Sequence, residues 1–271
     1  TWGRRGTGFD ACTFFGMFHG ATLCSDDGGD SWAQSAPLKV ATPDIVGAYG
    51  ACEPVAIELR DGRVWMLIRT QLGRFYESFS PDGLHWSPPA PSAIRSSDSP
   101  AGLARLDDGR LVLIWNHCLR FPYAYGGRQV IHAALSEDEG KTWRGGREIG
   151  WDPHRAEPPP PQGDFGTGYP FPVATSRNTL LISTGQGEGR VLLTRLDPRD
   201  LEARRAAADF SNGLDDWSTF GTRGVSVASP PTPPPQSALR LQRIDPDFPA
   251  AAVWNFPMGA SGELTTDLLL D

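Results

Sequence analysis

Short runs of alternating apolar and polar residues, separated by turn residues, make up most of the chain. Large apolar residues recur at every second position in segments such as 54–59, and Asp-Gly pairs lie between apolar runs. A period of two places the apolar side chains on one face of a strand, and an intervening Asp-Gly pair predicts a hairpin. We therefore predict an all-β protein of short antiparallel strands with little helix.

A turn motif of the form Ser-x-Asp-x-Gly-x-x-Trp, an Asp box, occurs three times. Residues 25–32 and 136–143 fit it, and residues 80–86 form a version that is one residue shorter. In such a turn the Ser and Asp side chains bond local backbone and the Gly takes a positive φ, while the Trp packs between neighbouring sheets. We interpret these motifs as structural.

A second repeat alternates with the Asp boxes. Residues 58–68 resemble residues 105–114, and their glycines, Gly62 and Gly109, are 109 − 62 = 47 positions apart. A period of about 50 residues with two turns and paired strands in each unit is typical of a four-stranded β-propeller blade. We assign residues 1–200 to roughly four such blades and expect further blades to precede residue 1.

The composition of the chain changes after residue 198. Residues 201–208 are interpreted as a short helix-prone linker, and residues 209–271 contain strand-like runs around a proline-rich loop. These runs predict the start of a β-sandwich accessory domain, with the chain ending in mid-strand. A carbohydrate-binding module and a packing domain without a ligand are equally open interpretations. The predicted strands are 225–228, 238–241, 251–256 and 263–270.

The charge and composition of the chain exclude several classes of partner. The formal net charge is −7 and Lys and Arg are not clustered, which argues against a nucleic-acid partner. No apolar run approaches the roughly 18 residues of a membrane span. The content of 31 Gly and 25 Pro suits many turns. An acidic chain can still bind an acidic sugar through a few converging arginines.

The four cysteines do not form a recognisable metal site. Cys12, Cys24, Cys52 and Cys118 lack CxxC spacing and nearby His partners, which argues against zinc. Free buried thiols and a Cys12–Cys24 disulfide both stay open. We predict neither a metal nor another cofactor.

Four polar residues stand at the ends of predicted strands. Glu53 and Arg69 are 69 − 53 = 16 residues apart, and a hairpin turn midway would bring this carboxylate and guanidinium to the same end of two strands. Arg128 and Tyr169 each stand just before a further predicted strand. Taken singly, each has an ordinary interpretation as a surface ion pair, a solvated arginine or a packing tyrosine.

The order of these residues along the chain resembles that of the sialidases over residues 12–197. Glu53-Pro54-Val55 followed by Arg69 resembles the strand pair with the nucleophile-activating Glu and one member of an arginine triad. Arg128 before an Asp box resembles the last triad arginine, and Tyr169-Pro170 resembles the nucleophilic tyrosine. The resemblance implies an incomplete six-bladed, sialidase-like β-propeller, secreted or periplasmic, with Tyr169 and Glu53 catalytic and Arg69 and Arg128 substrate-binding.

The same resemblance implies an exo-α-sialidase-like retaining glycoside hydrolase that releases terminal sialic acid or a related acidic sugar from glycans. The family's general-acid Asp and remaining arginine have no match in residues 1–51, so we expect both upstream and expect this chain alone to be inactive. One alternative is a non-catalytic Asp-box propeller that binds glycans or proteins. Another is a hydrolase of a different acidic sugar, such as a uronic acid.

Several further residues are secondary candidates. A proline-rich insertion at 156–164 is a candidate pocket rim, and a loop at 116–125 could face the pocket mouth. We interpret that loop, with its residues His117, Arg120, Tyr123 and Tyr125, as packing. Arg4 and Arg5 are interpreted as surface residues.

Overall fold

A computed structural model describes residues 18–41, 50–117, 127–154, 165–185, 190–219, 224–230, 237–244, 250–257 and 261–269, with residues 246 and 259. Within these described residues the elements are seventeen strands, β1 to β17, and one 3₁₀ helix, Pro198–Leu201. The prediction of an all-β chain with little helix is confirmed.

Two consecutive sheets are complete four-stranded antiparallel meanders, and a third has three strands. We name them blade A, blade B and blade C. Together with the short β1–β2 pair, Leu23–Cys24 and Ala33–Gln34, they form an incomplete β-propeller. Blade A contains β3 to β6: Cys52–Glu58, Val64–Arg69, Arg74–Ser80 and Ala90–Arg95. Blade B contains β7 to β10: Gly102–Arg105, Leu111–Trp115, Val130–Ser136 and Arg144–Trp151. Blade C contains β11 to β13: Phe171–Ala174, Leu180–Gly185 and Val191–Leu196.

The hydrophobic cores lie between consecutive blades. Strand β8 shows how: Leu111 and Leu113 pack against blade A, whereas Val112 and Ile114 pack against blade C. All four side chains are buried. Successive side chains of a strand point to opposite faces, so a central blade must be apolar on both faces. This arrangement explains why β8 is a continuous apolar run.

The repeated Asp-Gly turns have the same geometry in blades A and B. Gly62 has φ +85° and Gly109 has φ +86°. Leu59 N–H donates to the Arg63 carbonyl over 2.7 Å, and the equivalent bond closes the turn at Gly109 over 2.9 Å. Glycine adopts a positive φ without steric cost, so both hairpins form where the sequence predicts them.

The third Asp box links blade B to blade A. Gly140 N–H donates to Ser136 Oγ over 2.8 Å, and the Thr142 hydroxyl donates to Asp138 over 2.6 Å. The Trp143 ring stacks on Trp65 of blade A with centroids 6.4 Å apart. A Cβ at Gly140 would lie 2.8 Å from the Trp65 ring, so the contact requires glycine. The predicted role as turn and wedge is confirmed here.

The first Asp box departs from the prediction. Its turn is formed, because Gly29 N–H donates to Ser25 Oγ over 2.7 Å and Ser31 N–H donates to Asp27 over 2.9 Å. Trp32, however, is 62% exposed and does not pack between sheets of the described residues. It lies at the end of the turn that joins β1 to β2, and each of these strands has only two residues.

The C-terminal part of the chain forms two small antiparallel sheets. Strands β15 and β16, Val225–Ala228 and Ala238–Leu241, pair with each other, and β14, Trp217–Thr219, pairs with β17, Ala252–Trp254. The Trp217 and Trp254 rings stack with centroids 5.6 Å apart. Three of the four predicted strands are thus present, and the β-sandwich stays a prediction.

Two expectations for this C-terminal part are wrong. Residues 261–269 form no strand and are exposed, because no described segment lies alongside to pair with their backbone. Residues 203–208 of the helix-prone linker have no regular structure, and the helical turn ends at Leu201. An exposed six-residue segment is too short to hold a helix without tertiary contacts.

Asn255 fastens this C-terminal part to the edge of blade B. Its side-chain Oδ1 accepts from Glu148 N–H over 2.9 Å, and its Nδ2 donates to the Glu148 carbonyl over 2.7 Å. The amide therefore substitutes for a fifth strand at one residue of β10. Satisfying an edge backbone in this way protects it from pairing with other chains.

Candidate functional site

The four residues singled out by the sequence meet at one end of the blades. Tyr169 Oη donates to Glu53 Oε1 over 2.8 Å. Arg69 Nη1 donates to the other Glu53 oxygen and, over 3.2 Å, to Tyr169 Oη. The Arg128 guanidinium lies over the Tyr169 ring, 5.1 Å from its centroid. One phenol, one carboxylate and two guanidinium groups thus form a single connected cluster.

The β3–β4 hairpin brings Glu53 and Arg69 together. Cys52 pairs with Arg69, and the register shifts between Cys52 and Val55, which marks a β-bulge at Glu53. Glu53 has φ +40°, in the left-handed region that non-glycine residues rarely adopt. A bulge redirects a side chain out of the pleat, so Glu53 reaches the guanidinium beside it and the phenol of another blade.

Tyr169 also has a left-handed backbone, with φ +56°. It stands between Gly168 and Pro170, just before β11. A Cβ at Gly168 would lie 3.1 Å from Arg128 Cδ, so this glycine lets the Tyr169 loop approach the arginine. Strained conformations of this kind cost about 1–3 kcal/mol each and cluster at functional sites. The sequence does not reveal them.

Arg128 is held entirely within the protein. It is 1% exposed, and its Nε and Nη2 donate to the Asp98 carbonyl over 3.1 and 2.8 Å. The face of the Arg128 guanidinium also makes a cation–π contact with the Tyr169 ring. The guanidinium plane is therefore fixed by hydrogen bonds at its edge and by an aromatic ring at its face.

Asp98 joins both arginines and was missed by the sequence analysis. Its Oδ1 accepts from Arg69 Nε over 2.8 Å, and its Oδ2 lies 3.4 Å from the donor Gln71 Nε2. It lies in the serine-rich connection between β6 and β7. Nothing in that segment distinguishes Asp98 from a residue of an ordinary loop, so no sequence pattern points to it.

A further pair of residues fixes the backbone next to the site. Asn116 Nδ2 donates to the carbonyls of Val130 and Thr167 over 2.8 and 3.2 Å. The Thr167 hydroxyl donates to the Arg128 carbonyl. These bonds tie the chain around Arg128 to the chain just before Tyr169, so the two side chains keep their relative position.

The environment of Tyr169 keeps its hydroxyl protonated at neutral pH. Burial raises the pKa of the phenol, while the positive charges of Arg128 and Arg69 act in the opposite direction. Burial also raises the pKa of the neighbouring Cys52 thiol to about 11. Both groups are therefore neutral at pH 7, and the phenol is the one that has a carboxylate as a proton acceptor.

The secondary candidates lie mostly outside the described residues. His117 Nδ1 lies 3.0 Å from the Arg95 carbonyl, and its ring contacts Trp115 and His132, which agrees with packing. Cys24 and Cys52 are free thiols, and Cys12, the partner of Cys24 in the alternative disulfide, lies outside the described residues. The other candidates, which the structure does not describe, are Arg4, Arg5, Cys12, Cys118, Arg120, Tyr123, Tyr125 and residues 156–164.

Two kinds of feature are absent from the described residues. Within them, no group of three or more His, Cys, Asp or Glu side chains could hold a metal ion. Over the same part of the chain, no helix is long and apolar enough to cross a membrane.

Several solved structures are similar to parts of this chain. The first is the NanB sialidase from Streptococcus pneumoniae, 16% identical over 66% of this chain and 26% of the sialidase, with a TM-score of 0.44. The intramolecular trans-sialidase from Ruminococcus gnavus is 16% identical over 68% and 39% of the two chains, with a TM-score of 0.43. An α-L-arabinanase from Penicillium chrysogenum is 16% identical over 63% and 53%, with a TM-score of 0.41. This chain thus spans about a quarter of the NanB sialidase (26%).

Sequence comparison gives the family. No match to a curated protein sequence is found. A model described as a BNR repeat-like domain matches residues 12–180, which include both complete blades, all three Asp boxes, and Glu53, Arg69, Arg128 and Tyr169. Because this match spans more than half of the 271 residues, the chain belongs to the BNR repeat-like domain family.

Proposed function

We propose that this chain carries the nucleophile half of a retaining exo-glycosidase site that releases terminal sialic acid or a related acidic sugar from glycans. The observation that supports it is the 2.8 Å hydrogen bond from Tyr169 to Glu53, with Arg69 donating to both partners. A nucleophile bonded to its base, with a third group orienting the base, is the usual form of an activated nucleophile.

A tyrosine nucleophile suits a substrate whose anomeric carbon bears a carboxylate. An anionic Asp or Glu would be repelled by that carboxylate, whereas a neutral phenol approaches it without this cost. Burial keeps Tyr169 in the neutral form by raising its pKa. Arg69 and Arg128 stand beside the phenol and supply the positive charge that a carboxylate needs.

The proposed reaction has two steps, which are formation and hydrolysis of a covalent glycosyl-enzyme. Tyr169 Oη forms a bond to the anomeric carbon as its proton passes to Glu53 and the bond to the leaving oxygen breaks. The leaving oxygen takes a proton from a general acid, which the resemblance places on an earlier blade. Water then attacks the same carbon and gives a proton to that acid's conjugate base, and Glu53 returns its proton to the departing phenolate.

Trapping tests this mechanism most directly. The complete protein is incubated with a fluorinated sialosyl fluoride, whose activated leaving group forms the glycosyl-enzyme and whose ring fluorine slows its hydrolysis. We expect a mass increase on the peptide that contains Tyr169, together with hydrolysis of an aryl α-sialoside. Turnover of the sialoside with the adduct on another residue would overturn the assignment of Tyr169.

Substrate class is tested with a panel of aryl glycosides. We expect turnover of the α-sialoside and none of an aryl arabinoside, because a neutral sugar offers no carboxylate to the arginines. If the protein instead hydrolyses an aryl uronide and not the sialoside, the alternative of a hydrolase that acts on uronic acids is correct.

A second candidate is a non-catalytic propeller that binds glycans or proteins. The low exposure of the guanidinium-bearing side chains, 3% for Arg69 and 1% for Arg128, favours it, because a packed ion cluster needs no opening to a substrate. Retention on immobilised sialoglycans without release of sugar, in the complete protein, would support this candidate against the hydrolase.

The proposed substrate also predicts the cellular localisation of the protein. Terminal sialoglycans are found outside the cytoplasm, so we propose a secreted or periplasmic enzyme without a nucleic-acid partner. Detection of the protein in culture medium or in a periplasmic extract, against a cytoplasmic marker, tests this localisation.

A further inference from the structure

The connection between β6 and β7 brings one acidic residue to both arginines of the site. Asp98 binds Arg69 through its side chain, with 2.8 Å between Oδ1 and Nε. It binds Arg128 through its main chain, with its carbonyl 2.8 Å from Nη2 and 3.1 Å from Nε. The two arginines are far apart in sequence and belong to different blades. Asp98 is therefore a shared anchor for both guanidinium planes.

The burial of these charges requires such an anchor. The Arg69 side chain is 3% exposed and that of Asp98 is 11% exposed, so little water remains to solvate either group. A buried guanidinium is costly unless its donors are paired with good geometry. Glu53 takes the Nη1 side of Arg69 and Asp98 takes the Nε side. Two carboxylates on different edges fix the plane of the guanidinium.

The connection that carries Asp98 is itself fixed by its backbone. Ser96 N–H donates to the Gly73 carbonyl over 3.2 Å, and Ser97 N–H donates to the Asn116 carbonyl over 2.9 Å. Ser96, Ser97 and Ser99 are buried. Blades A and B therefore both hold the loop, and the position of Asp98 is set before any ligand arrives.

We propose that Asp98 is a positioning residue of the glycosidase site, which orients Arg69 toward Glu53 and Tyr169 and holds Arg128 over the phenol ring. This inference rests on the proposed function. The residue acts through the arginines and is not assigned contact with the sugar. Its two contacts are separable, because a side-chain substitution removes the negative charge paired with Arg69 and leaves the carbonyl bond to Arg128.

Asp98→Asn in the complete protein tests the side-chain contact. We expect kcat for an aryl α-sialoside to fall by about 100-fold, the size of effect that follows small misplacements of catalytic groups. The affinity for a carboxylate-bearing sialic acid analogue should fall less, because Arg128 keeps its anchor. If the unsubstituted protein hydrolyses the sialoside and Asp98→Asn has the same kcat, the positioning role of Asp98 is wrong and the proposed function still stands.

A double-mutant cycle separates positioning from general support of the fold. If Asp98 acts through Arg69, the affinity of Asp98→Asn/Arg69→Lys for the analogue should equal that of Arg69→Lys alone. Additive losses would contradict the proposal. Absence of both sialoside turnover and fluorosugar trapping in the wild-type protein would instead remove the proposed function on which it rests.

Two further variants protect this test from a failure to fold. Asp98→Glu keeps the charge but displaces the carboxylate by one methylene, so we expect folding to survive and kcat still to fall. Full activity in Asp98→Glu would overturn positioning as the role. The matched control is Glu139→Gln. Glu139 is another carboxylate paired with arginines, and its Oε1 accepts from Arg105 Nη1 over 2.9 Å. It lies at the Asp-box end of blade B, so we expect lower stability with unchanged kcat.

Discussion

Tyr169 and Glu53 are 116 residues apart in the chain, yet the phenolic oxygen of one lies 2.8 Å from the carboxylate of the other. The contact joins the start of blade C to the start of blade A. Blade B, packed between them by its two apolar faces, sets the distance. The proposed chemistry of the pair therefore depends on the packing of all three blades.

Tyr169→Phe is expected to abolish turnover without unfolding the protein. The change removes one hydroxyl, and sialoside hydrolysis should fall by on the order of 10³-fold or more, as for loss of a covalent nucleophile. Binding of a sialic acid analogue should change far less, because both arginines remain. Steady-state kinetics and calorimetry measure the two effects. Tyr76→Phe, at a partly buried tyrosine of blade A, is the matched control, and a wild-type rate in Tyr169→Phe would show that Tyr169 only packs.

Arg128→Lys is expected to weaken the binding of a carboxylate-bearing analogue. Lysine keeps the charge but lacks the planar fork that spans the Asp98 carbonyl and the Tyr169 ring. The loss should be about 1.5–3 kcal/mol, the range for hydrogen bonds to charged groups. Titration calorimetry gives this value. Arg144→Lys, at an exposed arginine of β10, should bind as the wild type does, and unchanged affinity in Arg128→Lys would remove Arg128 from the binding site.

Trp143→Ala is expected to destabilise the propeller and leave the site unaffected. The Trp143 ring packs on Trp65 between blades A and B, at the end of the strands opposite to Tyr169. We expect a loss of about 3 kcal/mol in the free energy of unfolding, at the low end for Trp→Ala because the ring is only partly buried. Denaturant titration measures it. Lost analogue binding at an unchanged melting temperature would contradict the structural role of the Asp box.

The ionisation of Tyr169 predicts a pH dependence with a definite sign. Burial raises the pKa of this phenol, so the folded state holds the proton more tightly than the unfolded state. Its contribution to stability is complete below the unfolded value of about 10 and is lost as pH rises through the folded pKa. Ultraviolet titration of the tyrosines should therefore lose a component that titrates above pH 10 in Tyr169→Phe. Loss of a component that titrates below pH 10 would contradict the predicted direction.

The parts of the fold that local sequence determines were predictable. The Asp-Gly turn at residues 61–62 fixes a hairpin, and the hairpin alone brings Glu53 and Arg69 to one end of two strands. The Asp-box turns likewise form from side chains within a few residues of each other. Wherever the partner is close along the chain, pattern and turn chemistry determine the geometry.

The features that were missed all depend on contacts between distant segments. Asp98 acquires its role because blades A and B place it between two arginines, and no local pattern marks it. The left-handed backbone of Glu53 and Tyr169 is imposed by the surrounding structure against local preference. The expected strand at 263–270 failed for the related reason that an alternating run forms a strand only beside a partner.

The backbone conformation of Glu53 and Tyr169 sets stability and activity against each other. At φ +40° and +56°, glycine or asparagine would relieve strain that glutamate and tyrosine cannot avoid. Variants selected for heat resistance alone should therefore accumulate these smaller residues at positions 53 and 169. Such variants should lose turnover as they gain heat resistance. Directed evolution under a purely thermal selection would in this way test the proposed role of positions 53 and 169 in the reaction.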